Sequence, residues 1–575
     1  MKLEAPRGSW LTIASVYVTA DEILGRPVPF AERVKLWSSM PVGQALALIS
    51  SMLKDLDLTT KPAREVEAGW VAQVRSGRLK AELLSALRDS RRVLVPQMLL
   101  LAAVEAIEHC PPGDPTDDFA GLDQVVEAHL GIAGESDAPR SGEDWGGLDS
   151  GLAAELVAQH HFGHTSDAID QLAWIDENWR TPWSHPSVKE ELITKAGGEP
   201  GDLFREATTV EFDDFAAVGV HLWVQADQNG FLRYPSEFFD RLGIDRVAVD
   251  RFLAEASTDL PTLKAEVAAE RARTGTARWA FNTLRRWPIV RLDNGQWLVL
   301  RLGFAIQRAL GDATYWDVRN YLKAEDRANG SKRDEGFRGC LGYELEANVG
   351  QTLGRMFPGS LRTRRLYDET TMQHAWTKRG KKPSVCDFAV DCGDRWLLFD
   401  VTDRRIPEKL INAEATAADL DAELNLVLTE KKAKQFSSTV KLLTNELGKL
   451  VKSHATPPEV FVCIVVTPTG GLGWNPAIDT RTKELLAGME VLQSANVLPL
   501  GIMSVRDLTE WESAVENGRK ADSLLTDWRM NGPGHSFERA LLEMGIPLQR
   551  SSWVQNTAMR TIGELVDRLQ AHGMD

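Results

Sequence analysis

Apolar residues recur at intervals of three and four through the first part of this chain. Val42-Gly43-Gln44-Ala45-Leu46-Ala47-Leu48-Ile49 and Leu79–Leu87 show that spacing, so residues 1 to about 110 read as helices joined by short turns. Residues 110–150 break the pattern. CPPGDPTDD through GEDWGGLDSG is rich in proline, glycine and acid and predicts a long surface loop around one short helix, Leu122–Leu130. Helical spacing resumes over Leu152–His161, Ala168–Trp174, Tyr234–Leu242 and Val247–Ala256. Near residue 287 a hairpin is predicted, because Asn294-Gly295 separates the apolar runs Trp287–Leu292 and Gln296–Leu302. The polar stretch KAEDRANGSKRDE, Lys323–Glu335, reads as a linker.

Beyond the linker, patterns of both kinds alternate. The predicted order is helix Leu341–Met356, strand Cys386–Asp391, strand Trp396–Val401, helix from about Ala418 to Lys452, strand Val460–Val466, helix Thr480–Ala487, strand Val497–Met503 and terminal helices. Such a succession builds a central mixed sheet covered by helices. The expected fold class is therefore α+β and multidomain: a helical domain with an acidic loop (1–150), a mainly helical domain with the hairpin (151–335) and an α/β domain (336–575).

A length of 575 residues exceeds one ordinary core, and 43% hydrophobic with 26% charged residues is the composition of a globular protein. The longest apolar run, Val93–Ile107, is interrupted by Gln97 and Glu105 and is too short to span a bilayer, and the first residues lack the apolar core of a signal peptide. A cytoplasmic location with no membrane partner is the expectation. Five scattered cysteines without CxxC spacing exclude a disulfide framework or a structural zinc site of the usual kind. The net charge of −16 argues against nucleic-acid binding until its distribution is considered. From Gly336 onward there are 29 Lys+Arg against 31 Asp+Glu, whereas the first 335 residues hold 37 against 51. The acidity sits outside the α/β region.

Candidate chemistry concentrates in PSVCDFAVDCGDRWLLFDVTDRR, Pro383–Arg405. Two short strands joined by Cys392-Gly393-Asp394 each deliver an aspartate, Asp387 and Asp400, to one face, and Trp396, Leu398, Asp400 and Thr402 share that face by strand alternation. Ahead of them, GYELEANV at Gly342–Val349 places Glu344 and Glu346 on a helix, with Glu344 expected to be solvated. This order of helix, Asp387 and Asp400 resembles the PD-(D/E)xK, or restriction-endonuclease-like, nuclease superfamily over about residues 336–520. The resemblance implies a restriction-endonuclease-like fold and Mg²⁺ or Mn²⁺ held by Asp387 and Asp400 with help from Glu346. It also implies phosphodiester hydrolysis of DNA rather than RNA. Long helical regions fused to such domains occur in bacterial defence and DNA-processing proteins, which by analogy makes the helical part a sensor, a regulator or a site for a protein partner.

One position departs from the family. Where a lysine usually stabilises transition-state charge, this chain has Thr402, which carries no charge. Arg404 is one substitute, if the strand persists. The helix through EKKAKQF offers Lys431, Lys434 and Gln435, which share spacing on one helical face. Loss of catalysis is the third possibility. A basic run of Arg355, Arg362, Arg364, Arg365, Lys378, Arg379, Lys381 and Lys382, interleaved with Tyr367, His374 and Trp376, precedes the hairpin and suits phosphate contacts and base stacking, or a solvated loop. A second basic stretch, Arg271–Arg301, extends that surface or pairs with the acidic N-terminal part. The sequence QHHFGH at 159–164 lacks the glutamate of a zincin motif, and Thr469–Gly473 lacks the lysine of a P-loop. Three functions follow: a metal-dependent nuclease, an inactive nuclease-fold module that binds nucleic acid or serves assembly, and a helical regulatory scaffold.

Overall fold

The computed structural model describes residues 17–571, apart from 59–62, 90, 117–118, 138–167, 181–182, 184–187, 231, 275–278, 360–364, 413–414, 430, 452–457 and 533. Helices dominate up to residue 356. Val42–Leu58 and Pro96–His109 pack together, and the loop that follows the second helix closes over Gly43, where a Cβ would lie 2.7 Å from the Gly113 carbonyl oxygen. The buried Arg33 and Glu105 form an ion pair at 2.8 Å, and the Trp37 indole donates to the same carboxylate at 3.0 Å. These partners offset the cost of taking both charges out of water. Among the described residues no single helix is long and apolar enough to cross a membrane.

A small sheet interrupts the helices. Its strands are β1 (Arg233–Tyr234), β2 (Ser257–Asp259), β3 (Ile289–Arg291) and β4 (Trp297–Val299), in the order β1-β4-β3-β2. The hairpin expected near residue 287 is β3 and β4, with Gly295 at φ +81° in its turn. Tyr234–Leu242 is not the predicted helix. It holds the end of β1 and one 3₁₀ turn, Phe239–Arg241, because the Tyr234 and Phe238 rings stack at 4.2 Å and their packing outweighs local helical spacing.

The second sheet has five strands: β5 (Leu366–Asp368), β6 (Phe388–Asp391), β7 (Arg395–Val401), β8 (Val460–Thr467) and β9 (Gly501–Ser504), in sequential order. The first three pair antiparallel and the last three parallel. The central strands β7 and β8 are buried along nearly their whole length, which explains their unbroken apolar runs. On one face, α1 (Arg333–Met356) and α4 (Val505–Glu516) pack: Trp511 meets Phe399 at 5.7 Å, and a Cβ at Gly350 would lie 2.8 Å from the Phe388 ring. On the other face lies α3 (Lys432–Leu450), with α2 (Glu369–Trp376) beside it. A buried indole such as Trp511 removes about 150–250 Å² from water, an upper stabilisation of about 4–6 kcal/mol.

Three sequence expectations change here. Lys323–Glu335 is no linker. The helix Asp312–Asn329 runs almost directly into α1 through a turn at Gly330 with φ +69°. Its polarity is that of helices with one solvated face, and Asp334 within it is buried against Arg319 at 2.7 Å. The stretch 110–150 contains a longer helix than expected, Leu122–Asp137, and Val125, Ala128 and Leu130 on it are buried in the core. The helix predicted from about Ala418 to Lys452 is interrupted, running as Ala417–Leu424, a wide turn at Asn425–Thr429 and then α3. Leu152–His161 and the histidines of QHHFGH lie outside the described residues.

Candidate functional site

The β6–β7 hairpin closes on the expected turn. Asp391 accepts from the Gly393 N–H at 2.8 Å, and Gly393 takes φ +96°, a conformation that favours glycine. Phe388 pairs with Phe399, so Asp387, one residue before β6, lies across from Asp400. The Asp387 Oδ2 accepts the Val401 N–H at 2.7 Å, which fixes that carboxylate at the end of β7. Asp400 is wholly buried, and its Oδ2 has no hydrogen-bond partner.

The cation of this site comes from α3. Lys432 is buried, its Nζ lies on Asp400 Oδ1, donates to the Val401 carbonyl at 2.6 Å and stands 3.7 Å from Asp387. Further along the same helix face, Gln435 donates to the Val385 carbonyl at 2.8 Å, and Thr439 accepts the Cys386 N–H at 3.0 Å. One helix thus holds both the cation and the backbone that leads into Asp387. Burial and the neighbouring Asp387 push the Asp400 carboxyl well up, while Lys432 pulls it down. Burial works against the Lys432 ammonium, but Asp400, Asp387 and Glu346 overcome it and raise its pKa.

Glu346 projects from α1 into this field. Burial first, then Asp387 and Glu369, push its carboxyl up to about 7, against Lys432 and Lys431. Glu369, the first residue of α2, is raised by burial and by Asp387 in the same way. At the rim, Lys189 from the helical region lies 5.4 Å from the centre of the Tyr343 ring, and Tyr343 shares α1 with Glu346. Among the described residues no group of three His, Cys, Asp or Glu side chains converges to hold a metal ion by itself. The protein oxygens gathered around Lys432 are the two aspartates and the Val401 carbonyl.

The structure sets Asp387 against Asp400 and leaves Glu346 within the field of Asp387, but it puts the lysine at a position other than those predicted. Lys431 and Lys434 are exposed, whereas Lys432 is the residue turned inward. Gln435 braces the Val385 backbone. The Thr402 side chain accepts the Arg404 N–H at 3.4 Å and its N–H continues the pairing with β8. Arg404 does not project beside Asp400, because β7 ends at Val401 and the guanidinium forms a two-point pair with the buried Glu423, one contact at 2.8 Å. Glu344, expected to be solvated, is buried.

Measured against protein-family models, curated proteins and solved structures, the chain matches none of them.

Of the basic run, Arg362 and Arg364 lie outside the described residues, and Arg365 is exposed beside β5. Lys378, Arg379, Lys381 and Lys382 are exposed on a tight turn, in which Lys378 and Lys381 bridge and Arg379 takes φ +50°. Lys378 contacts Glu446, leaving Arg379, Lys381 and Lys382 as the outward charges of the turn. Tyr367 and Trp376 are not available for base stacking: both are buried, Tyr367 against Trp396 and Trp376 with its indole donating to the Glu446 carbonyl at 3.1 Å. In the second basic stretch Arg271 pairs with Glu108 of the N-terminal part. Thr469–Gly473 is the exit loop of β8, with Gly471 bridged to Arg405.

Sequence reasoning missed Lys432 and Glu369. Lys432 had a signal: of the three lysines in KKAK, it alone shares a face with the apolar Phe436 and with Gln435 and Thr439.

Proposed function

We propose that this protein is a Mg²⁺- or Mn²⁺-dependent nuclease of the PD-(D/E)xK kind, acting on DNA, with its helical region as regulator. One observation carries the reading: Lys432 reaches Asp400 from α3, so the charge absent at Thr402 is supplied from another element. The donor set suits a hard divalent cation. Asp387, Asp400 and the Val401 carbonyl are all oxygen ligands, and the unpartnered Asp400 Oδ2 is a buried lone pair in want of a cation or proton. A cation held there would bind the phosphate and lower the pKa of a water.

The chain's own groups do the remaining work. Lys432 stays protonated across the neutral range and stabilises negative charge that develops on the phosphate. Glu346 exchanges a proton near neutrality, which suits a group that accepts one from an attacking water. Arg379, Lys381 and Lys382 offer charge to the phosphate backbone. An inactive nuclease-fold module is the second reading, favoured by the Lys432–Asp400 contact itself, since an ion pair that neutralises the aspartate is also a structural device.

The test is cleavage of single- and double-stranded DNA and RNA with Mg²⁺ or Mn²⁺, wild type against Asp400→Asn. Metal-dependent cleavage of DNA that disappears in the variant is expected. Binding of DNA without cleavage by the wild type would favour the inactive module instead.

A further inference from the structure

One face of the helix Asp312–Asn329 carries an aromatic ring among cations. Trp316, Arg319, Lys323 and Arg327 follow one another at steps of three and four, so they share that face. Trp316 is 38% exposed, and among the described residues no other tryptophan is as exposed. The Arg319 guanidinium lies 4.9 Å from the centre of its ring and the Lys323 ammonium 5.6 Å, both reaching it from later turns of the helix.

The charge here is only partly answered. Asp334 pairs with Arg319 at 2.7 Å and with Arg338, an exposed residue of α1, at 3.4 Å. Among the described residues Lys323 and Arg327 form no ion pair. Burial, and then Arg319, Arg338 and Arg327 against the pull of Asp334, lower the Lys323 pKa, and an anion beside it would relieve that crowding. Such a patch stands out in the more acidic part of the chain.

The patch adjoins the carboxylate site. Arg338, Gly342 and Glu346 are spaced by four on α1, so one face of that helix leads from the patch toward the site, over about 12 Å at 1.5 Å per residue. Asp403, three residues after Asp400, stands at the midpoint, 3.8 Å from the place of a Cβ at Gly342. A single nucleic-acid strand matches both parts of the patch, since its bases offer free ring faces and its phosphates offer anions at close intervals. A duplex keeps its ring faces stacked, and an acidic peptide meets the charge but not the ring.

We propose that Trp316 with Lys323, Arg327 and Arg338 forms a binding site for single-stranded DNA, with a base on the indole and neighbouring phosphates on the cations. Delivery of that strand to Asp387 and Asp400 rests on the nuclease reading, whereas the binding does not.

Fluorescence anisotropy of the full chain with labelled dT15 in EDTA, where no metal supports cleavage, tests the binding. An abasic strand of the same length, a duplex and a polyglutamate peptide are the controls. The strand dT15 should bind more tightly than all three. Trp316→Ala should weaken dT15 about ten-fold and leave the abasic strand unchanged, as for loss of one stacked base. Lys323→Gln combined with Arg327→Gln should lower the slope of log affinity against log salt by about 1.4, at about 0.7 for each phosphate contact. Should Trp316→Ala fail to fold, that double variant decides, since neither lysine nor arginine holds an ion pair that folding needs. Full dT15 affinity in Trp316→Ala, an unchanged salt slope, or equal binding of duplex or polyglutamate would overturn the site. Binding of dT15 by a wild type that cleaves nothing with Mg²⁺ or Mn²⁺ would sink the nuclease reading and leave this site standing.

Discussion

Replacing Lys432 by methionine isolates the charge at the centre of the site, because methionine keeps most of the aliphatic stem. Asp400 would then sit wholly buried with no cation beside it and with Asp387 adjacent. Removing one partner of a buried pair costs about 3–5 kcal/mol. Asp400 can limit that cost by taking a proton, so the loss depends on pH. With its folded pKa raised above the unfolded value of about 3.9, its protonated form supports the fold fully below that value. This support fades as pH rises through the folded pKa. Urea unfolding followed by circular dichroism should therefore show a larger loss for Lys432→Met at pH 8 than at pH 5. Adding Asp400→Asn should recover most of it, while cleavage by the single variant should fall by about 10²–10³, as for loss of one charge-stabilising group. Equal destabilisation at both pH values, unrelieved by Asp400→Asn, would show that Lys432 acts through packing and not through its charge.

Other outcomes follow from the same geometry. Because Glu346 is held near 7, cleavage by the wild type should rise as pH increases through neutrality, and Glu346→Gln should remove that limb from the profile. Arg404→Gln should lower stability by about 1–3 kcal/mol, since Glu423 is buried, and leave DNA affinity unchanged; a fall in affinity at constant stability would return Arg404 to the phosphate surface. Replacing Arg379, Lys381 and Lys382 together by glutamine should reduce the slope of log affinity against log salt on double-stranded DNA by about 2.7, and an unchanged slope would exclude the turn from the interface.

How much of this was legible in the sequence varied with the kind of signal. Asp387 and Asp400 could be placed because strand alternation and a glycine turn are local rules, and the register of β6 on β7 obeys them. Helix α3 was legible as a helix, and its rotation was written in Phe436, which shares a face with Lys432; reading one unbroken helix from Ala418, when the structure interrupts it at Asn425–Thr429, left Lys431, Lys432 and Lys434 without a fixed phase. Lys323–Glu335 misled for the opposite reason. A charged stretch looks like a linker when its charges are counted singly, and like a helix pair once Arg319 and Asp334 are known to meet. Glu369 could not be anticipated at all, since its approach to Asp387 depends on how α2 sits against the sheet.

The seating of α1 sets how far the two halves of the chain can be separated. At its start Gly336 fits against the backbone of Lys195 and Ala196, where a Cβ would come within 2.3 Å of the Ala196 nitrogen, and Phe337 is buried among Trp179, Trp183 and Tyr315. Near its other end Gly350 fits against Phe388, next to Asp387. The helix that carries Glu346 is thus a shared axle, with one bearing in each half. Cutting the chain at residue 336 would strip the first bearing and leave Phe337 bare. Grafting the sheet onto another protein would then require that its aromatic socket travel with it.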